Sequence, residues 1–225
     1  MFSIGDCRAI ARNDALFFCY IVYRMTLTNK QIPFFVKPLV FLLCLIPFGE
    51  LVYGAVNDSL GVNPVETLTH ETGQWALRFL LLTLFITPLR RLIKVQWLIK
   101  LRRMLGLYAF FYAVLHFITY IWLDQFFDWI EILSDIPKRP FITIGFASFL
   151  LLIPLALTST KKMQRRLKKK WVALHKLVYV IPMLVVLHFI WSLKADYFEP
   201  MTYTIVFLGL MLMRFFHEKK KASKT

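Results

Sequence analysis

The side chains best suited to chemistry in this sequence are its five histidines, His70, His116, His175, His188 and His217. Imidazole ligates metals and exchanges protons near neutrality, so a histidine inside an apolar stretch is a candidate for either role. His116, His175 and His188 all lie in such stretches, and the last two are thirteen positions apart. Other chemistries have little to work with. Cys7, Cys19 and Cys44 show no paired spacing, which argues against a disulfide framework or a thiolate metal site. Eight glycines, with no GxGxxG or Walker pattern, leave no phosphate-binding loop.

The elements that must position these histidines follow from composition. The chain has 225 residues, 58% of them hydrophobic and 16% aromatic, with 28 Lys+Arg against 13 Asp+Glu and a net charge of +15. Its mean hydropathy is +0.60. A nucleic-acid-binding or disordered basic protein would carry its charge on a polar background. A greasy, basic chain is predicted to be all-α and polytopic in a membrane. Six stretches approach the roughly 20 apolar residues that a spanning helix needs: 34–56, 71–89, 104–123, 140–158, 171–191 and 200–216.

The connections between them alternate in charge. The N-terminal arm, 89–103, 159–170 and the tail, counted with Lys37 and Arg214 at the adjoining span ends, carry 23 of the 28 basic residues, whereas 57–70, 124–139 and 192–199, counted with Glu71 beside the first, carry three basic and nine acidic residues. Basic loops stay in the cytoplasm, so a six-helix bundle with both termini inside is predicted. Residues 1–33 form a cytoplasmic extension, 34–216 the membrane domain and 217–225 a basic tail. Within the extension, 15–23 is too short an apolar run to span, and Met25 reads as a plausible start, so 1–24 are expected to be a non-native beginning.

This topology sets depths. The third span runs outward from about Met104, which puts His116 about 18 Å along it at 1.5 Å per residue. The fifth also runs outward, so His175 is near the cytoplasmic face and His188 about 20 Å further out. His116 and His188 therefore share a depth on two helices of one direction, the arrangement required for axial ligation of a haem by two imidazoles. The alternative is that each is simply hydrogen-bonded to a neighbouring helix. Thirteen residues at 100° leave His175 and His188 about 140° apart, and Pro182 between them can distort the helix. At the depth of His175 the third span offers Arg102 and Arg103, so an inner haem would be singly ligated, use another helix, or give way to a flavin or quinone. The two arginines are cytoplasmic anchors or partners for haem propionates or a flavin phosphate. Arg78 either snorkels to the outer interface or binds an outer propionate. His70 is an interface residue and His217 is solvated.

The segments HETGQWALRFLLLTLFITPLRRL, RRMLGLYAFFYAVLHFITY and LALTSTKKMQRRLKKKWVALHKLVYV, with the later LHFIWSLK, resemble the MsrQ (YedZ) family of haem-binding membrane subunits of bacterial methionine sulfoxide reductase systems. The likeness covers about 25–216, and the wider group is the ferric-reductase-like transmembrane family. It implies an inner-membrane protein carrying b-type haem, one or two, with FMN also present. Electrons would come from the quinone pool or a cytoplasmic flavin reductase. They would go to a periplasmic molybdopterin subunit of the MsrP type that repairs oxidised proteins. The family's haem ligands fall on His116, His175 and His188, and a fourth histidine is replaced by Arg102 and Arg103.

Sulfoxide reduction itself is then expected in the partner, because this chain has neither a soluble catalytic domain nor a redox cysteine pair. The rival readings are a quinol-linked cytochrome b with another acceptor, a small secondary transporter, and a scaffold without cofactor. Transporters usually show internal repeats around a midplane site, and none is apparent in the pattern of spans and prolines.

Overall fold

A computed structural model describes residues 36–193 and 197–222. The N-terminal extension 1–33 and the last three residues of the basic tail lie outside the described residues. The chain divides into two compact units, Met1–Leu43 and Cys44–Thr225. In the first, the described residues are helical from Val36.

Among the described residues there is helix and no strand. Helix α1 is Val36–Val56. It is followed by α2 (Pro64–Ile93), α3 (Ile99–Thr119), α4 (Trp129–Lys138), α5 (Pro140–Leu157), α6 (Lys161–Leu167), α7 (Lys169–His175), α8 (Val180–Ser192) and α9 (Phe198–Ala222). A single-turn 3-10 helix precedes α3, a π-helical turn at Tyr120–Asp124 ends it, and a 3-10 segment at Lys176–Tyr179 joins α7 to α8. Five helices are long and apolar enough to cross a membrane: Val36–Val56, Gln96–Asp124, Pro140–Leu157, Lys169–Ser192 and Phe198–His217. The second expected span falls on α2, which stands outside that set. It is longer than expected, at 30 residues, and its apolar run 79–89 is bracketed by Glu66, Glu71 and Arg78 before and by Arg90 and Arg91 after.

The early start of α2 has a local cause. Asn63 caps it, accepting from the Glu66 N–H, and Pro64 occupies the first turn, where a missing N–H costs nothing. Two short helices stand where connections were expected. Asp128 Oδ1 accepts from the N–H groups of Ile130 and Glu131, both at 3.0 Å, and so starts α4. Thr160 caps α6 through the Met163 N–H.

Helices α2 and α3 form the tightest pair. Leu77, Leu80, Leu81, Leu84 and Ile86 of α2 and Leu101, Leu105 and Tyr108 of α3 are buried. Phe79 stacks on Tyr112 with centroids 5.3 Å apart. Helices in lipid gain nothing from hiding apolar groups from water, so close approach through small residues must do the work. Gly106, Ala109 and Ala113 supply it on α3: Ala109 is fully buried, and a Cβ on Gly106 would lie 3.7 Å from Thr83. The buried hydroxyls of Thr72, Thr83, Ser148 and Thr158 each donate to a carbonyl one turn back in their own helix, so none is left unpaired in a dry interior. The Tyr112 hydroxyl inserts into the ladder of α1, accepting from Phe48 N–H and donating to Cys44 C=O. Large side chains such as Leu82, Phe85, Leu150, Met183, Ile205 and Leu208 are exposed, as a lipid-facing surface requires and a water-facing one does not.

Candidate functional site

His116 on α3 and His188 on α8 meet with ring centroids 6.1 Å apart and planes at 78°. Each ring is held from a helix other than its own. Nδ1 of His116 lies 2.8 Å from the Thr69 carbonyl oxygen on α2, and Nδ1 of His188 lies 2.6 Å from that of Phe141 on α5. A carbonyl oxygen only accepts, so each Nδ1 carries the proton and donates it, which leaves each Nε2 a bare lone pair. This is the tautomer of a metal-ligating imidazole aimed by a second hydrogen bond.

Each ring also covers a glycine one turn after the carbonyl that holds it. A Cβ built on Gly73 would lie 3.1 Å from Cε1 and Nδ1 of His116, and one on Gly145 would lie 2.7 Å from Nδ1 of His188. The missing side chains are what let the imidazoles reach the α2 and α5 backbones.

The two half-sites are copies. Thr69, Gly73 and His116 map onto Phe141, Gly145 and His188 with a constant offset of 72 positions. The pentapeptide VLHFI occurs at 114–118 and again at 186–190. The sequence therefore does hold an internal repeat, α2–α3 against α5–α8, which inspection of spans and prolines misses. The glycines and the accepting carbonyls were missed with it, and that pentapeptide is the signal that leads to them. The same offset carries Arg103 onto His175, so the two halves of the repeat differ at that position.

What the pair can hold follows from ligand counting. An ion bound by side chains alone draws on three or four of them, and among the described residues no group of three His, Cys, Asp or Glu side chains could hold one. A macrocycle that brings its own four nitrogens needs only two axial imidazoles. His116 and His188, 6.1 Å apart and each with Nδ1 committed to a carbonyl, are the residues that would hold such a group.

The other expected site residues lie apart from the pair. His175 ends α7, half-buried, stacked on Trp171 at 3.9 Å with its Nδ1–H donated to the Trp171 carbonyl at 3.1 Å. Trp171 is anchored in turn through its indole N–H to the Thr158 carbonyl, 3.0 Å away. The 3-10 segment after His175 supplies the distortion expected of Pro182, which lacks the N–H that would bond back to Val178. Four residues at 120° rather than 100° each reduce the offset between His175 and His188 from about 140° to about 60°. Arg102 lies within electrostatic range of His175, and Arg103 is exposed on α3.

Arg78 is bound into an outer network. Its Nε donates to the Tyr203 hydroxyl at 2.8 Å and a second guanidinium nitrogen donates to Gln74. Glu71 lies 3.8 Å from it, and the guanidinium covers the Trp75 ring at 4.6 Å. This ties α2 to α9. His70 follows Thr69 directly and is half-buried, whereas His217 is exposed on α9.

The family described as the ferric reductase like transmembrane component matches the chain over residues 72–186. The chain is 52% identical to a protein-methionine-sulfoxide reductase heme-binding subunit MsrQ of Herminiimonas arsenicoxydans, over 84% of this chain and 88% of that protein. It is 54% identical to an MsrQ heme-binding subunit of Xanthomonas campestris pv. campestris, over 69% and 71% of the two chains. With the MsrQ of Bordetella pertussis it shares 48% identity, over 79% and 86%. No solved structure matches the chain at a comparable level.

Proposed function

The chain belongs to the ferric-reductase-like transmembrane family, and on that premise we propose that it is the haem-bearing electron-transfer subunit of a membrane methionine sulfoxide reductase system. The observation that carries this reading is the pair His116 and His188, 6.1 Å apart, with both Nδ1 protons committed to backbone carbonyls. A b-type haem between them would supply one-electron chemistry inside the membrane.

The protein's own part is positional and electrostatic. Thr69 and Phe141 fix the tautomers, and Gly73 and Gly145 admit the rings. The proposed topology has six spans with both termini in the cytoplasm of a bacterium and the membrane as the inner membrane. Its support is the alternation of loop charge, together with the five helices long and apolar enough to cross and the 30-residue α2 between the first two of them. Electrons would enter on the basic side, from the quinone pool or a cytoplasmic flavin reductase. A second redox site, a further haem or FMN, would lie by His175 and Arg102. They would leave outward to a periplasmic molybdopterin partner of the MsrP type, where the sulfoxide is reduced. The names of the relatives support assignment to that system.

The 72-residue repeat is also what a transporter would carry. Here its repeated centre is an imidazole whose Nδ1 is held by a carbonyl on each side, rather than an unwound substrate-binding helix, which favours the haem reading. The test is the reduced-minus-oxidised absorption spectrum of the purified protein and of His116→Ala and His188→Ala. Loss of the haem bands in both variants is expected. Unchanged haem content in both, or a colourless wild-type protein after haem-sufficient expression, overturns the reading.

A further inference from the structure

A cavity of about 300 Å³ opens at the opposite end of the bundle from the outer network of Arg78. Its walls are the ends of α2 and α9 and the 3-10 segment before α8. Pro88 explains why it exists. A proline inside a helix removes the N–H that would bond Leu84 C=O and pushes the turn outward, and Leu84, Thr87 and Pro88 all line the opening.

The lining is divided by chemistry. Arg91, Arg214 and His217 stand at its basic rim, while Leu84, Leu210 and Met211 form an apolar floor. Arg214 is preset: its guanidinium donates to the Tyr179 hydroxyl and lies 4.1 Å over that ring. Among the described residues no carboxylate makes a salt bridge with Arg91. Two guanidinium charges on one rim attract a phosphate, and the forked donors of Arg91 suit one. The long apolar floor beneath them suits an acyl chain, and the methionine can adapt to one. The rim lies on the side where the chain concentrates its basic residues, the leaflet in which anionic lipids attract them.

We propose that this cavity is a binding site for an anionic phospholipid of the cytoplasmic leaflet, its phosphate held between Arg91 and Arg214 and its first methylenes lying on Leu84, Leu210 and Met211.

The test uses native mass spectrometry and thermal unfolding of the full-length protein in neutral detergent. Added dioleoyl-phosphatidylglycerol should remain bound and raise the Tm, and dioleoyl-phosphatidylcholine should do so at least tenfold more weakly. Arg91→Gln and Arg214→Gln should each reduce phosphatidylglycerol binding at least tenfold and leave phosphatidylcholine binding unchanged. Lys161→Gln, which removes a charge on the same side away from the cavity, should retain the preference. If a variant does not fold, Arg91→Lys keeps the charge without the fork and should show an intermediate loss. Glycerol 3-phosphate alone should give no shift. Equal binding of the two lipids, a preference unchanged in both glutamine variants, a loss equally produced by Lys161→Gln, or a shift with glycerol 3-phosphate matching that of the lipid would each overturn the proposal.

Discussion

The Nδ1 atoms of His116 and His188 each bond a carbonyl 47 positions earlier in the chain, Thr69 and Phe141, and the rings they steer meet 6.1 Å apart. Neither histidine is oriented by its own helix. Two helix pairs, α2–α3 and α5–α8, have each built the same half-site, and the functional unit exists only where the two halves face each other. This makes the site sensitive to small changes on α2 and α5, helices that carry neither histidine.

The first such change is a single methyl group. Gly145→Ala places a Cβ 2.7 Å from Nδ1 of His188, closer than packed atoms tolerate, whereas Gly73→Ala meets His116 at 3.1 Å, where a small movement suffices. Overpacking of this kind costs about 1–3 kcal/mol, while replacing a helical glycine with alanine returns up to about 1 kcal/mol of backbone propensity. Gly145→Ala should therefore lose most of its haem and lower the Tm, and Gly73→Ala should keep most of its haem with a shifted spectrum. Pyridine haemochrome content per protein, measured beside the Tm, checks the order of the two. Equal retention in both would show that the rings do not need the glycines.

The outer network gives a prediction independent of haem. Arg78 holds Tyr203 at 2.8 Å and Glu71 at 3.8 Å with its side chain 29% exposed. Hydrogen bonds to a charged group contribute about 1.5–3 kcal/mol when buried, and partial exposure reduces that here, so Arg78→Ala should cost about 1–2 kcal/mol. A double-mutant cycle of Arg78→Ala with Tyr203→Phe, read by thermal unfolding, should return a positive coupling. A coupling near zero would mean that the bond between α2 and α9 contributes nothing.

How far the sequence discloses this arrangement depends on which atoms do the work. The spans and the common depth of His116 and His188 were legible because loop charge and apolar length report them directly. Five of the six expected spans fall on helices long and apolar enough to cross. The start of α2 at Pro64 and the helix α4 were obscured by reading charge before caps: Asn63 and Asp128 are ordinary capping residues in loops marked only as acidic. The partners of the histidines were harder to see, since they are backbone carbonyls of Thr69 and Phe141, and a carbonyl has no residue signature. Only the repeated VLHFI and the paired glycines 72 positions apart betray them. The 3-10 segment at 176–179 needed the fold, because a proline foretells a distortion without fixing its sense.

Topology can be read without purification. Alkaline phosphatase is active only when exported, so a fusion after Asp128 should be active and fusions after Gln164 and at the C-terminus inactive. Green fluorescent protein fusions at the same places should give the complementary pattern. Activity at both Asp128 and Gln164 would remove the span formed by α5 and reverse the direction assigned to α8, and with it the outward path.

The last prediction concerns the inner end of the path. His175 is separated from the paired site by α8 and is buttressed by Trp171, itself fixed to Thr158. Its counterpart in the repeat is Arg103, which cannot ligate iron but can neutralise an anion. If His175 serves a separate inner redox group, then His175→Ala should keep the haem bound by His116 and His188 while slowing its reduction by a cytoplasmic donor at least tenfold. Reduction by dithionite, which needs no inner relay, should be unaffected. Pyridine haemochrome quantitation then says what the inner group is. A fall from two haems per chain to one in His175→Ala identifies a second haem, and one haem in both proteins leaves a flavin or quinone. If the variant accepts electrons from the donor at the wild-type rate with unchanged haem content, His175 and its tryptophan are only structural, and the electron path runs to His116 and His188 directly.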